Sequence, residues 1–404
     1  MAAMCHHSRS SHHRVGHAVR RANQNDGVQA LITGAAESPY ARRPGPDVTT
    51  ATVLVDAARR ALADAGLAPR DIDGLGVASF SLAPDHAIDL ALRLGLRVRW
   101  LVDSANGGAS GIEMLQHARR AVEAGDARHV LLVAGDRLDP SAFVRLVDEY
   151  NTATRDHLTP LPTGGPNALF ALLTRRHMAR HHLGREEYGK VAMAQRSWAG
   201  ANPGAVYRAP LSLEEYLRAP VVADPLSILD CVPVVTGADA VVVSAETSGS
   251  AVRVRALKAW HNHDNQDGDG LETGLRDIAP ELWRESGLGP ADIDVVSVYD
   301  DYPAMTLVQL EDLGFADDGD IRRLIDERLV TRELPVNTSG GQLSAGQAGA
   351  AGGMHGLVEV VTQLRGTAGA RQIDGARVGV VSGYGMVAYR YGACANVAVL
   401  ERVA

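Results

Sequence analysis

The chain has 404 residues, enough for two packed domains of ordinary size, with 46% apolar residues, 22% charged residues and a formal net charge of −8. That balance suits a soluble globular protein and excludes a general nucleic-acid surface, which needs a clustered basic face; no stretch reaches the ~18–20 uninterrupted apolar residues of a membrane span. Cys5, Cys231 and Cys394 have no paired spacing, so neither a disulfide framework nor a zinc site is predicted and a reducing cytoplasm is the expected compartment.

Residues 1–26 stand apart. They carry several arginines and serines together with His6, His7, His12 and His13. No apolar pattern would fix those rings around a metal, so the segment reads as disordered or as a wrongly assigned start, without the apolar core of a secretory signal. Ordered sequence is expected from Val28, where VQALITG reads as a strand into a turn. Residues 52–65 (TVLVDAARRALADA) have apolar positions at helical spacing and end at Gly66. The following LAPRDIDGLGVASF reads as a Pro turn, an acidic N-cap and a strand. Residues 107–136 (GGASGIEMLQHARRAVEAGDARHVLLVAGD) give a Gly-rich turn, a helix, a second turn and an apolar strand. Residues 137–223 form a long insertion with a helical PNALFALLTRRHMARHH and the loop AGANPGAVYRAPLSLEEYL. Arg175, Arg176, Arg180 and Arg208 lie there, either to meet phosphates over an active face or as a solvated surface.

The chain then repeats itself. Residues 285–294 (ESGLGPADID) match residues 64–73 (DAGLAPRDID), and both run into a strand. Residues 348–385 follow the plan of residues 107–136, in the same order. Two ordered repeats predict two homologous β/α halves, residues 27–245 with the insertion and residues 246–404. The β-branched runs HVLLVAG, ADAVVVSA and RVGVVSG suit strands covered on both faces by helices. A duplicated, layered α/β fold is the expectation.

Four segments carry a resemblance to a known family: FALLTRRHM (170–178), ADPLSILDCVPVVTGADAVVV (223–243), VYDDYPAM (298–305) and NTSGGQLSAGQAGAAGG (337–353). With them the chain resembles the thiolase superfamily, and most closely the sterol-carrier-protein type of thiolase. The resemblance implies two homologous halves in an α-β-α-β-α layering, a coenzyme A thioester as substrate, no bound cofactor or metal, and a homodimer formed through a sheet edge. The family's nucleophile is a cysteine in a CASG-like turn at a helix start, where the helix lowers the thiol pKa. Here residues 106–111 read NGGASG with Gly108 in that place, so thioester transfer through this residue is impossible. The family's GHP-like turn is Gly346-Gln347-Ala348 here. An amide at Gln347 can stabilise an enolate oxygen but cannot shuttle a proton. The family's acid/base cysteine is also missing around residues 383–385.

Tyr299-Asp300-Asp301-Tyr302 is similar to the corresponding segment of thiolase-like steroid side-chain aldolases. Those proteins cleave a 3-hydroxyacyl-CoA by a retro-aldol step and pair with a small zinc-ribbon/OB-fold protein. They carry a second tyrosine in the GHP-like turn, where this chain has Gln347.

The implied site is therefore Tyr299 as base, with Tyr302 secondary and Asp300 or Asp301 orienting it while the other caps a turn. Its phenol would need a pKa lowered from the usual ~10. A backbone N–H near Gly108 and the side chain of Gln347 would hold the thioester oxygen. Tyr384, expected at a turn after the last GVV strand, is a further candidate, and Arg208, Ser344 and Gly346 are assigned to the coenzyme A side. Cys231, Cys394, His177 and His355 read as packing residues, and Tyr389 and Tyr391 as strand side chains. The function expected is an acyl-CoA carbon–carbon bond enzyme, by retro-aldol cleavage or condensation. The alternatives are a thiolase-like acyltransferase and a non-catalytic subunit of a complex.

Overall fold

The computed structural model describes residues 28–161, 165–246, 249–388 and 391–403. The histidine-bearing start and Tyr389 lie outside the described residues, as does the side chain of Tyr391. The apolar runs become strands: β1 (Leu31–Glu37), β2 (Gly74–Ala78), β3 (Trp100–Ser104), β4 (His129–Asp136), β5 (Val221–Ala223), β6 (Leu226–Ser227), β7 (Gly237–Ser244), β8 (Ala251–His261), β9 (Val295–Ser297), β10 (Val378–Ala388) and β11 (Tyr391–Val403). Every residue of β2, β7 and β9 is buried, as both-face coverage by helices requires.

Nine of these strands join in the order β3-β2-β4-β7-β1-β8-β11-β10-β9, and β5 and β6 pair separately. The order is symmetric about its centre. From β1 outward the pairings run antiparallel to β7, antiparallel to β4, then parallel to β2 and β3. From β8 outward they run antiparallel to β11, antiparallel to β10, then parallel to β9, with Val336 bridging parallel to Val296 where a last strand would stand. Among the described residues, the two sets of strands pair through Leu31↔Arg253 and Ile32↔Val252.

Helices repeat in step with the strands. Thr50–Asp64 starts with a reciprocal Thr49–Thr52 capping box, and its counterpart Gly274–Ser286 is capped by Thr273 accepting from the Leu275 N–H. Ser110–Ala124 and Gly352–Leu364 form the middle layer. In Gly352–Leu364 every residue except Thr362 is buried, the pattern of a helix surrounded by protein. Glycine permits the close approach of this layer: a Cβ on Gly353 would stand 1.8 Å from the Gly108 carbonyl oxygen. The helix also buries Glu359, which accepts from Arg371 at 2.8 Å.

The insertion supplies Pro140–Asp148, Pro166–His181 and Arg185–Ala199. Phe170 stacks on Tyr302 with ring centroids 4.4 Å apart, which joins the insertion to the start of the helix Pro303–Asp312. No described helix is long and apolar enough to cross a membrane.

Candidate active site

The YDDY segment leaves the carboxyl end of β9 and becomes a helix at Pro303. Proline is preset for the first helical position, with Tyr302 as N-cap. Side chains from three elements hold this short connection. Asn337 Oδ1 accepts from the Val298 N–H at 2.9 Å, Ser382 Oγ from the Tyr299 N–H at 3.2 Å, and Gln309 donates to the Tyr299 carbonyl. The backbone that presents Tyr299 is therefore fixed.

A cavity of about 500 Å³ opens here. Tyr299, Asp301, Tyr302, Gln347 and Gly108 line its floor. Its walls are apolar and come largely from the insertion, through Phe143, Val144, Val147, Leu158 and Phe170, with Phe80 opposite. A ligand entering it meets a mostly apolar lining with a smaller number of polar groups, the usual make-up of a small-molecule site.

The polar groups are tied together. Gln347 Nε2 donates to the Tyr299 hydroxyl and to Asp301 Oδ1, each at 2.9 Å. The Asp301 carboxylate is also within hydrogen-bonding reach of the same phenol. Burial pushes the Asp301 carboxyl up to about 7, against the pull of the Tyr299 and Gln347 hydrogen bonds. Burial, then the negative charge of Asp301, raises the Tyr299 phenol well above its usual value. The expectation of a lowered phenol pKa is thus reversed, because the ring is buried and its charged neighbour is an anion. In this constellation Asp301 is the group that ionises near neutrality.

Gly108 sits where the phenol ring leaves no room. A Cβ built on it would come 2.1 Å from Tyr299 Cε2, 2.3 Å from Cζ and 2.5 Å from the hydroxyl oxygen. Real side-chain carbons do not approach so closely, so a cysteine at this position and a tyrosine ring in this pose exclude each other.

The remaining sequence candidates divide. Tyr302 lines the cavity, and its hydroxyl donates to Asn167 Oδ1 at 2.7 Å. Asp300 turns inward: it accepts from the Gln342 and Leu343 N–H groups at 2.9 and 3.3 Å and from Gln195 Nε2 at 3.0 Å. Adjacent residues of an extended segment face opposite sides, so Asp300 caps the helix Gly341–Ala345 while Asp301 faces the cavity. Tyr384 is no turn residue. It lies buried within β10, which continues through a hairpin into β11, and its hydroxyl meets the Gly392 N–H instead of the cavity.

The coenzyme A assignments also sit outside the cavity lining. Arg208 is exposed. Ser344 is buried and accepts from Arg196 Nε at 2.9 Å, and Gly346 occupies a turn at φ 120° against Val235. Arg175 and Arg180 are paired with Asp224 and Asp269. Cys231, expected as packing, lies in the cavity wall, yet burial pushes its thiol up to about 12; Cys394 is pushed up to about 11 inside β11. Tyr150, Asn167 and the Phe143 helix were not visible as site residues, since the insertion has no repeat partner to align with. Tyr150 accepts from the Met386 N–H at 3.1 Å and lines the cavity beside Phe80.

Residues 256–402 match the family described as thiolase C-terminal domain-like. The chain is 31% identical over 369 residues to 17-hydroxy-3-oxo-4-pregnene-20-carboxyl-CoA lyase of Mycobacterium tuberculosis, covering 84% of this chain and 92% of that protein. The chain belongs to the thiolase superfamily. It is also 30% identical to the steroid side-chain-cleaving aldolase of Thermomonospora curvata, over 88% of this chain and 95% of that protein. Among solved structures, an Ltp2-ChsH2(DUF35) aldolase superposes with a TM-score of 0.78 at 25% identity, over 93% of this chain and 98% of that one. The symmetric nine-strand sheet around paired middle helices is therefore the thiolase fold.

Proposed function

We propose that this protein is a thiolase-fold lyase that cleaves a 3-hydroxyacyl-CoA by a retro-aldol step, or runs the reverse condensation. One observation carries the reading: the Tyr299 ring fills the space over Gly108, with Gln347 donating to both its hydroxyl and the Asp301 carboxylate at a largely apolar cavity. A covalent thiolase step has no residue there to perform it. A proton acceptor for a substrate hydroxyl does stand there.

In the proposed step the substrate's 3-hydroxyl donates its proton to the Tyr299 oxygen as the phenolic proton passes to Asp301. The O–H electron pair becomes a carbonyl, the bond between carbons 2 and 3 breaks, and its electrons flow into the thioester as an enolate. Backbone N–H groups around Gly108, at the start of the helix Ser110–Ala124, favour that developing negative charge. The proton held on Asp301 returns to carbon 2. The products are an acyl-CoA and a ketone or aldehyde, with neither water nor free coenzyme A consumed. A carboxyl raised to about 7 is suited to accept and return one proton at neutral pH. Gln347 serves as the brace that keeps Tyr299 and Asp301 in register, since both its N–H groups point at them.

An acyl-transfer reading would need a thiolate, and both described cysteines are held as thiols by burial. The similarity to the Ltp2-ChsH2(DUF35) aldolase supports a small zinc-ribbon/OB-fold partner. The sheet edge at β3, which leaves Leu101 exposed, supports a homodimer. The free thiols Cys231 and Cys394 accord with a reducing cytoplasm. The test is a mass-spectrometric product assay on 3-hydroxyacyl- and 3-ketoacyl-CoAs, with and without the partner. Release of a shorter acyl-CoA from the hydroxyacyl substrates without added coenzyme A is expected. Turnover that depends on free coenzyme A would overturn the reading.

A further inference from the structure

Away from the cavity, two clusters of histidine and carboxylate side chains lie inside the protein. In the first, His355, Glu37 and Asp239 hydrogen-bond one another and their neighbours. His355 shares hydrogen bonds with Glu37 at 2.6 Å and with Ser339 at 2.7 Å, and Asp239 accepts from Tyr40 at 2.8 Å. None of the buried polar atoms of that set lacks a hydrogen-bond partner, so nothing in it calls for a ligand.

The second cluster is different. His177 and His181 are four residues apart on the helix Pro166–His181, so both project from one face, and Glu311 reaches them from the helix Pro303–Asp312. Their ligand atoms all lie within 4.8 Å of one another. His177 is fully buried, its Nδ1 shares a 2.7 Å hydrogen bond with the Tyr188 hydroxyl, and its Nε2 has no partner. His181 Nε2 is also buried without a hydrogen bond, although it stands 3.3 Å from Glu311 Oε2. An unmet buried ring nitrogen costs about 1–3 kcal/mol, and two at one point need an explanation.

We propose that His177, His181 and Glu311 bind a divalent transition-metal cation of the zinc class. Three chemical features favour it. Two imidazoles and a carboxylate are the donor types zinc takes, with water able to fill a fourth position. The 3.3 Å between His181 Nε2 and Glu311 Oε2 equals the ligand spacing of a tetrahedral ion bound at roughly 2.0–2.1 Å. Tyr188 on His177 Nδ1 is the outer partner that orients a ligating imidazole and fixes its tautomer. Arg180, on the same helix, is paired with Asp269.

The site is partly open, with Glu311 19% exposed, so an ion can enter. Its role is structural. The helix Pro303–Asp312 carries Tyr302 at one end and Glu311 at the other, about 13 Å apart along its axis. The helix Pro166–His181 likewise carries Asn167 and Phe170 against Tyr302 at one end and both histidines at the other. A metal bridging the far ends would clamp the insertion onto the helix that begins at the cavity.

The test uses the full chain without any partner, stripped with a chelator, then titrated with zinc or cobalt(II) beside His181→Gln and Glu311→Gln. Both altered side chains are partly exposed, and the histidines of residues 1–26 remain in all three proteins, so their contribution cancels. The parent is expected to hold one more equivalent of zinc than either variant. It should show the intense visible cobalt band of a tetrahedral site and a zinc-dependent rise in Tm, and both should vanish in the variants. Equal metal content in all three proteins, or a parent with neither band nor Tm response, would overturn the proposal.

Discussion

Substituting Gly108 by alanine puts one methyl group where the Tyr299 ring now lies. The contact would be 2.1 Å to Cε2, against the ~3.4 Å that carbon atoms tolerate, so the ring must move by more than about 1 Å. It cannot do so freely, because Ser382 and Gln309 hold its backbone and Gln347 its hydroxyl. Overpacking of this kind costs about 1–3 kcal/mol, and at roughly 2–4 °C per kcal/mol the Tm should fall by about 2–12 °C. A reacting group displaced by about 1 Å loses on the order of 10²-fold in rate. Lyase turnover and thermal unfolding of Gly108→Ala would be measured in the parent and in a Tyr299→Ala background. If the ring is the obstacle, the alanine costs stability in the first and almost none in the second, since contacting residues are coupled. Gly108→Cys should be no thiolase, because the ring denies the thiol its place. An unchanged Tm and turnover for Gly108→Ala would refute the reasoning outright.

Three further outcomes follow from the same geometry. Asp301→Asn should lower kcat by about 10²–10⁴-fold. The parent must have this carboxylate ionised, so its activity should decline as pH falls through about 7, and that limb should be absent from the residual activity of the variant. Cys231→Ser should leave turnover unchanged, and no acyl adduct should be seen by mass spectrometry, since burial keeps this thiol protonated to about 12; a lost activity would bring the acyltransferase reading back. Arg371→Ala should destabilise by about 3–5 kcal/mol, because it strands the buried carboxylate of Glu359. Burial works against that carboxylate's charge, but Arg371 outweighs it and holds the pKa below the usual value. The pair's contribution is therefore present above about pH 4.3 and lost as pH falls through the folded value; adding Glu359→Gln should recover part of the Arg371→Ala loss.

Much of this protein was legible before any coordinate. The duplicated ESGLGPADID and DAGLAPRDID segments announced paired β/α units, because a cap, a Pro turn and a buried strand leave marks only a few residues apart. Gly108, Gln347 and Tyr299 could be picked out because the short segments that hold them resemble motifs of the thiolase superfamily. What the sequence could not settle is direction and distance. Asp300 and Asp301 are the same residue type side by side, and only the path of the chain after β9 turns one to the helix Gly341–Ala345 and the other to the cavity. The sign of the Tyr299 pKa shift depends on how deeply the phenol is buried and then on which charge stands beside it, both matters of packing. Tyr384 was misplaced because a turn and a continuing hairpin strand share the same glycines. The cavity walls come from an insertion without internal symmetry, and the histidine pair meets its carboxylate across more than a hundred residues of chain. Local pattern fixes elements because their forces act between near neighbours. Sites are assembled by contacts between elements, and those exist only once the chain has folded.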